Sequence, residues 1–389
     1  MRRLFIIFLF LLSSNQIEAS SSKDIVEEMI AIADIKINGD RSWDIQVHDE
    51  AFYDRVLRDQ SLGLGESYVE NVWDTEALDV FIYQILRADL ENNFKPTWSH
   101  IWAYLKAKFF NRQDRSGSMR VINEHYQLGN DLYQNMLDPL MTYSCGYWKN
   151  AKNLNEAQVA KYDLIARKLG FEKGMRVLDI GCGWGGFAKY ASEEYGVDVV
   201  AITLSENQAA YAKEVCKGLP VEVRVQDYRD LNEKFDRIVE IGMFEHVGAK
   251  NHRVFMEVVH KCLNDNGMVM VHTIGGNSSN VTGDRWIDKY IFRGGLLPSV
   301  AQIGKSIEGL FVMEDWHNFS VDYDKTLMVW FKNFDNNWDK IKNNYSPHFY
   351  RMWKYYLLSC AGAFRSRSIQ LWQVVLSKDG VLGGYETVR

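Results

Sequence analysis

An α/β fold is what this sequence predicts: a mostly parallel sheet flanked by helices, with a smaller and mainly helical domain ahead of it. Three observations carry that expectation. From about residue 160 onward, strand-like and helix-like segments alternate, as crossover units require. A glycine-rich turn, Gly181 to Gly186, stands where the first of these strands passes into the first helix. Ahead of the alternation, apolar residues recur instead at three- and four-residue spacings.

The chain begins with Arg2 and Arg3 before an apolar run from Leu4 to Leu12. That run is too short for a spanning helix, which needs about 20 residues, and resembles the apolar core of a signal peptide. Residues 1–20 are therefore set apart as a leader, with anchoring or export left open. Residues 22–36 follow as an amphipathic helix, with Ile25, Met29, Ile32 and Ile35 on one face. A second helix is expected over 75–90, with Leu78, Phe81, Ile82, Ile85 and Leu86 aligned. Over 99–120 a stripe of Ile101, Trp102, Leu105 and Phe109 runs beside Lys106, Lys108, Arg112, Arg115 and Arg120. The plain reading is a core-packing helix with a solvated face; the sharper one is a surface meeting anionic lipid head groups. The polar run Gln113 to Ser118 is a linker, so 22–116 is expected to form a lipid-docking or dimerisation domain and 120–389 the catalytic domain.

Within the second domain, strands are expected at 176–180, 198–203, 221–225, 235–241 and 268–274, with helices at 185–195, 206–216 and 252–263. Two further strands, 311–316 and 369–376, bracket a helical region over about 323–364. Gly275 to Leu297 breaks the alternation and reads as an insertion over the sheet. The net charge of −6 argues against a nucleic-acid coat. The five cysteines are odd in number and form no CxxC pair, so neither a disulfide framework nor a zinc site is implied.

Gly181, Gly183 and Gly186 fit GxGxxG, which by itself is a weak dinucleotide signal. A dinucleotide fold would want an acid closing the second strand, yet Val200 to Ser205 contains none. The run Asp179-Ile180-Gly181-Cys182-Gly183 instead resembles the S-adenosylmethionine loop of Rossmann-like methyltransferases. That resemblance implies cofactor contacts from Asp179, Gly181, Gly183 and Gly185. It adds Thr203, Leu204 and Gln208 at the second strand end and Asp227 and Tyr228 beside the adenine.

Several peptides narrow the resemblance. They are Glu124 to Tyr133, Met141 to Trp148, Gly242 to Gly248, His272 to Gly275, Lys289 to Phe292, Asp315 to Phe319 and Cys360 to Arg365. Together they resemble the cyclopropane-fatty-acyl-phospholipid synthase family, in its longer bacterial form with an extra N-terminal domain. The resemblance implies a Rossmann-like S-adenosylmethionine-dependent methyltransferase fold. It implies methylene transfer to cis double bonds of phospholipid acyl chains, through a carbocation deprotonated by bound bicarbonate. The implied bicarbonate cradle is Cys145, Glu245, His272, Tyr323 and the backbone of Ile274; Cys360 joins the catalytic set, and Tyr143 and Ser144 join the cofactor contacts. No metal is implied. Tyr143, Tyr147, Trp148, Phe244 and Tyr323 are the aromatic candidates for facing the cation. Expected partners are unsaturated membrane phospholipids, with a homodimer an option and nucleic acid excluded. The expected location is the cytoplasmic face of the inner membrane. Two alternatives stand beside this one: a related lipid methyltransferase leaving a methyl branch, and a non-catalytic S-adenosylmethionine-binding protein at the membrane.

Overall fold

A computed structural model of the chain describes residues 21–96, 100, 101, 104 and 129–389. The leader, the linker run and most of the basic-aromatic stretch, including Trp102, Lys106, Lys108 and Arg112, lie outside the described residues, as does the first part of the 124–133 peptide.

The N-terminal part contains α1 (Ser22–Ile32), α2 (Ala51–Asp59), α3 (Ser61–Val69), α4 (Leu78–Arg87) and the short α5 (Leu90–Asn93). A two-strand ribbon pairs β1 (Gln46–Val47) with β2 (Trp73–Asp74). Helix α1 starts on a capping box, in which Ser21 accepts from the Asp24 amide and the Asp24 carboxylate accepts from the Ser21 amide. After α6 (Asn130–Met136), α7 (Leu154–Lys168) leads into the alternating region. There β3 (Arg176–Ile180), α8 (Gly186–Tyr195), β4 (Asp198–Thr203), α9 (Glu206–Val215), β5 (Val221–Val225), β6 (Phe235–Ile241), α10 (His252–Cys262) and β7 (Leu263–Gly276) follow in order. The chain ends with α11 (Arg285–Tyr290), α12 (Val300–Ile307), β8 (Val312–Asn318), α13 (Val321–Ile341), α14 (Pro347–Arg365) and β9 (Ile369–Ser377).

The large sheet has the order β5-β4-β3-β6-β7-β9-β8. Its first five members are parallel, and β9 and β8 close one side antiparallel. The chain steps outward from β3 to β4 and β5, then returns to β6 and β7 on the other side. The order thus reverses between β3 and β6, the point at which open α/β sheets leave a crevice for ligands. The expected parallel sheet is present, and four of its strands begin and end where the apolar runs do.

The two expected domains do not keep separate cores. Ile30, Phe52, Trp73 and Phe81 from the N-terminal part pack in one cluster with Trp330, Trp353, Tyr356 and Phe364 from α13 and α14. The contact is close. A Cβ on Gly362 would lie 2.6 Å from the Asp79 carbonyl oxygen, and one on Gly65 would lie 2.3 Å from the Trp286 ring. The insertion after β7 carries α11, which lays Trp286 onto α3 at that second point.

Candidate active site

Two cavities meet at the switch point. The first, about 540 Å³, lies over the glycine loop. Its walls include Asp179, Gly181, Gly183, Thr203, Leu204, Gln208, Asp227 and Tyr228, with Tyr143 and Ser144 on the opposite side. Gly181 (φ 81°) and Gly183 (φ 54°) adopt left-handed backbone that a side chain would strain, which lets the loop turn beneath a ligand. Gly185 does not line this cavity. A Cβ there would meet Ala212 at 2.9 Å, so its glycine serves the packing of α8 against α9. Thr203 Oγ1 and Gln208 Oε1 are 3.0 Å apart, and Asp227 is held by Arg229.

Asp179 is fully buried and its Oδ2 has no hydrogen-bond partner. Burial pushes its carboxyl up to about 7. A buried carboxylate of this kind fits a cationic ligand group, and the cradle of positive-φ glycines fits a ligand that approaches backbone closely. Both are what the amino-acid end of S-adenosylmethionine offers.

The second cavity, about 910 Å³, is mostly apolar. Its walls come from both parts of the chain: Val26, Ile30, Phe52, Phe81 and Ile82 from the N-terminal helices, and Phe292, Leu296, Tyr355, Tyr356 and Leu371 from the rest. Tyr143, Ser144, Gly242 and His246 line both cavities and so mark the junction.

Glu245, His272, Ile274 and Tyr323 line the apolar cavity. Glu245 stands in a single helical turn after β6, its Oε1 accepting the Ile274 amide at 2.6 Å. That amide is thereby used, and the Ile274 carbonyl already accepts from Thr273 Oγ1 at 3.1 Å, so a backbone contact from Ile274 to a ligand falls to the second lone pair of that carbonyl. Glu245 Oε2 and His272 Nε2 are both buried without partners. Burial raises the Glu245 carboxyl and keeps the His272 ring neutral. The Gln373 amide nitrogen is 3.3 Å from His272 Nδ1, so Nδ1 accepts and the ring proton sits on Nε2. An orphaned donor and an orphaned acceptor on one wall fit a small ligand that both donates and accepts, as bicarbonate does.

Other expected residues fall elsewhere. The Cys145 thiol donates to the Gly146 carbonyl at 3.1 Å and does not line either cavity. Cys360 does line the apolar cavity, but burial pushes its thiol up to about 12, the reverse of an activated nucleophile. Of the five aromatic candidates, only Tyr143 and Tyr323 reach the apolar cavity. Phe244 stacks on His252 in the sheet core, Tyr147 packs against His317 and Phe319, and the Trp148 indole donates to Thr326.

Several residues not foreseen from the sequence support the site. Glu240, fully buried in β6, accepts the Met243 and Phe244 amides and so shapes the turn that carries Glu245. Gln158 donates to the Ser144 carbonyl at 2.8 Å, and Lys161 donates to Ser144 Oγ at 2.7 Å. Tyr356 bonds its hydroxyl to that of Tyr143 at 2.8 Å.

Residues 113–374 match the family model described as mycolic acid cyclopropane synthetase. The chain is 50% identical to the cyclopropane-fatty-acyl-phospholipid synthase of Escherichia coli strain K12 over 383 residues, covering 97% of this chain and 100% of that protein. It is 37% identical to a probable fatty acid methyltransferase of Pseudomonas putida, covering 70% of this chain and 73% of that protein. Among solved structures, the cyclopropane synthase MmaA2 from Mycobacterium tuberculosis superposes with a TM-score of 0.62 at 33% identity, over 68% of this chain and 100% of that one. The mycolic acid cyclopropane synthase CmaA1, complexed with SAH and CTAB, gives 0.61 at 33% identity, over 67% of this chain and 98% of that one.

Proposed function

Because the chain belongs to the mycolic acid cyclopropane synthetase family, we propose that it is a cyclopropane-fatty-acyl-phospholipid synthase, adding a methylene unit from S-adenosylmethionine across a cis double bond of a phospholipid acyl chain. The observation that carries the reading is the junction itself. A glycine-loop cavity opens onto a large apolar one at Tyr143, Ser144, Gly242 and His246, with two unpartnered polar atoms on the adjoining wall.

S-adenosylmethionine, held by the glycine loop, supplies an electrophilic methyl group. Bicarbonate would be held by Glu245, His272, Tyr323 and the Ile274 carbonyl, and would supply the base. The rest falls to the protein. The walls from Ile30, Phe52, Phe81 and Ile82 exclude water, which would otherwise quench a cation on the acyl chain. Tyr143, Tyr323 and Tyr356 line the same cavity, where an aromatic ring would attract that cation. His272 donates from Nε2, and Glu245 accepts or holds a proton at Oε2.

Incubation with vesicles of unsaturated phospholipid and S-adenosylmethionine tests the reading. Acyl chains heavier by one CH₂ and showing cyclopropane protons by NMR are expected; unchanged lipid refutes it. The kinship with a probable fatty acid methyltransferase favours one second reading, a methyl branch in place of the ring, which the same spectra distinguish.

Among the described residues no helix is long and apolar enough to cross a membrane. For a phospholipid substrate held in a bilayer, the stretch around Lys106, Lys108 and Arg112 is the proposed contact with the membrane surface. At about 1 kcal/mol per basic residue, neutralising all three would weaken binding to anionic vesicles roughly 10²-fold at low salt. Unchanged sedimentation with vesicles, with the fold intact, would defeat that assignment.

A further inference from the structure

Lys161 is fully buried on α7, beneath the junction of the two cavities, and lines neither. Among the described residues its ammonium makes one hydrogen bond, to Ser144 Oγ at 2.7 Å, and no ion pair. It also stands 4.6 Å from the centre of the Tyr162 ring. A buried ammonium with so few partners is costly, and burial pulls it down to about 7. In β3, just before the glycine loop, Asp179 is the complementary case: a buried carboxyl with Oδ2 unpartnered. The two feel each other's charge without touching. Neither has an opposite charge in contact among the described residues: the buried Asp138, the strongest on Lys161, acts only through space, and so does Lys161 on Asp179.

An amino-acid zwitterion provides both opposite charges. An ammonium only donates, so Ser144 Oγ must accept from Lys161, and its own proton is free to point into the junction it lines. Gln158 fixes the same loop by donating to the Ser144 carbonyl at 2.8 Å. We propose that Lys161 is a positioning residue for the amino-acid end of the cofactor. Through Ser144 it presents a charge-backed donor to the α-carboxylate, while Asp179 receives the α-ammonium. The inference rests on the reading that the glycine-loop cavity holds S-adenosylmethionine, and it explains a buried charge that the methyl-transfer chemistry does not use.

The test is calorimetric, on the full chain, with S-adenosylhomocysteine and its decarboxylated counterpart as probes. Lys161→Met should lose roughly 10- to 100-fold in affinity for S-adenosylhomocysteine and less than about threefold for the decarboxylated probe. A lysine that merely props the loop would weaken both probes alike, and equal losses, or none, overturn the proposal. Should Lys161→Met fail to fold, Ser144→Ala carries the same test, since it removes the hydroxyl and leaves the lysine in place. Retained discrimination between the probes in Ser144→Ala overturns the proposal too. Failure of the unaltered protein to bind S-adenosylhomocysteine at all would instead sink the cofactor reading beneath it.

Discussion

Replacing Asp179 by Asn should stabilise the ligand-free protein and weaken its hold on the cofactor. The side chain is fully buried, and its carboxyl is raised from 3.8 to about 7 by loss of solvation. The folded state therefore holds this proton more tightly than the unfolded chain does. Stability tied to the group is present below the usual carboxylate range and is lost as pH rises toward 7. An interval of about three pH units amounts to roughly 4 kcal/mol of cost once the group is ionised. Lys161 partly offsets the burial penalty and would lose that partner in the variant, so a net gain of about 2–4 kcal/mol at mildly alkaline pH is expected. The sign has a signature. The gap between variant and parent should widen by about 2 kcal/mol between about pH 5.5 and about pH 8, because only the parent has a charge to bury.

Urea unfolding of both proteins across that range measures the gap. Excess S-adenosylhomocysteine should then narrow it, since an ammonium beside Asp179 restores the missing partner only in the parent. Parallel pH dependences for the two proteins would refute the buried-charge reasoning. Equal stabilisation of both by the ligand would remove Asp179 from the cofactor site.

Three further outcomes follow from the same geometry. Glu245→Gln keeps an oxygen to accept the Ile274 amide but cannot take a proton, so turnover should fall by roughly 10²- to 10⁴-fold with S-adenosylhomocysteine affinity unchanged by calorimetry. Near-normal turnover would remove Glu245 from the chemistry. Cys360→Ala should stay within about tenfold of the parent rate, because a thiol held at about 12 is not a nucleophile and only cavity shape changes; complete inactivity of a folded variant would contradict this. Gly65→Ala forces a Cβ to 2.3 Å from Trp286 and should cost about 1–3 kcal/mol by denaturation, lowering turnover more than cofactor affinity, since Trp286 lines the apolar cavity and not the one over the glycine loop.

How much of this was legible in the sequence depends on what each residue's neighbours had to be. Strands β3 to β6 match their expected bounds to the residue, because the apolar positions of a parallel strand are buried against the flanking helices, even where polar residues such as Glu222 and Arg224 of the edge strand β5 or Glu240 of β6 interrupt them. Strand β7 begins earlier than its apolar run, at Leu263. The pairing of Phe235 with Leu263 resumes across an irregularity through the polar Asn264 to Gly267, and backbone pairing of that kind leaves no hydrophobic pattern. Within the site, Glu245, His272 and Tyr323 were found through motif resemblance and do share one cavity. Cys145 came with the same motif, yet its thiol faces its own neighbour's carbonyl. Lys161, Gln158, Glu240 and Gln373 gave no signal, because a polar residue in a helix or strand reads as solvent-facing until the packing around it is known.

The separation into two domains was the reading most altered by packing, and the reason bears on function. A reacting cation needs a dry enclosure, and the catalytic part alone does not close one: Ile30, Phe52, Phe81 and Ile82 form walls that it lacks. Polar clamps hold those walls in register with the sheet. Arg365 joins Asp79 to Asp324, Arg351 joins Asp74 and the Tyr68 carbonyl to α14, and Glu66 accepts from Lys289 and Tyr290 of the insertion. Half-buried ion pairs contribute little net stability, because desolvation cancels much of their attraction. What they fix is geometry, since a pair broken on one side leaves a charge without its partner. Helices α3 and α4 are thereby tied to the elements that carry Tyr323 and Cys360, and the shape of the apolar cavity is tied to the position of its polar wall. Under the proposed chemistry, the N-terminal part is thus a portion of the active site's enclosure as well as a candidate for meeting the membrane.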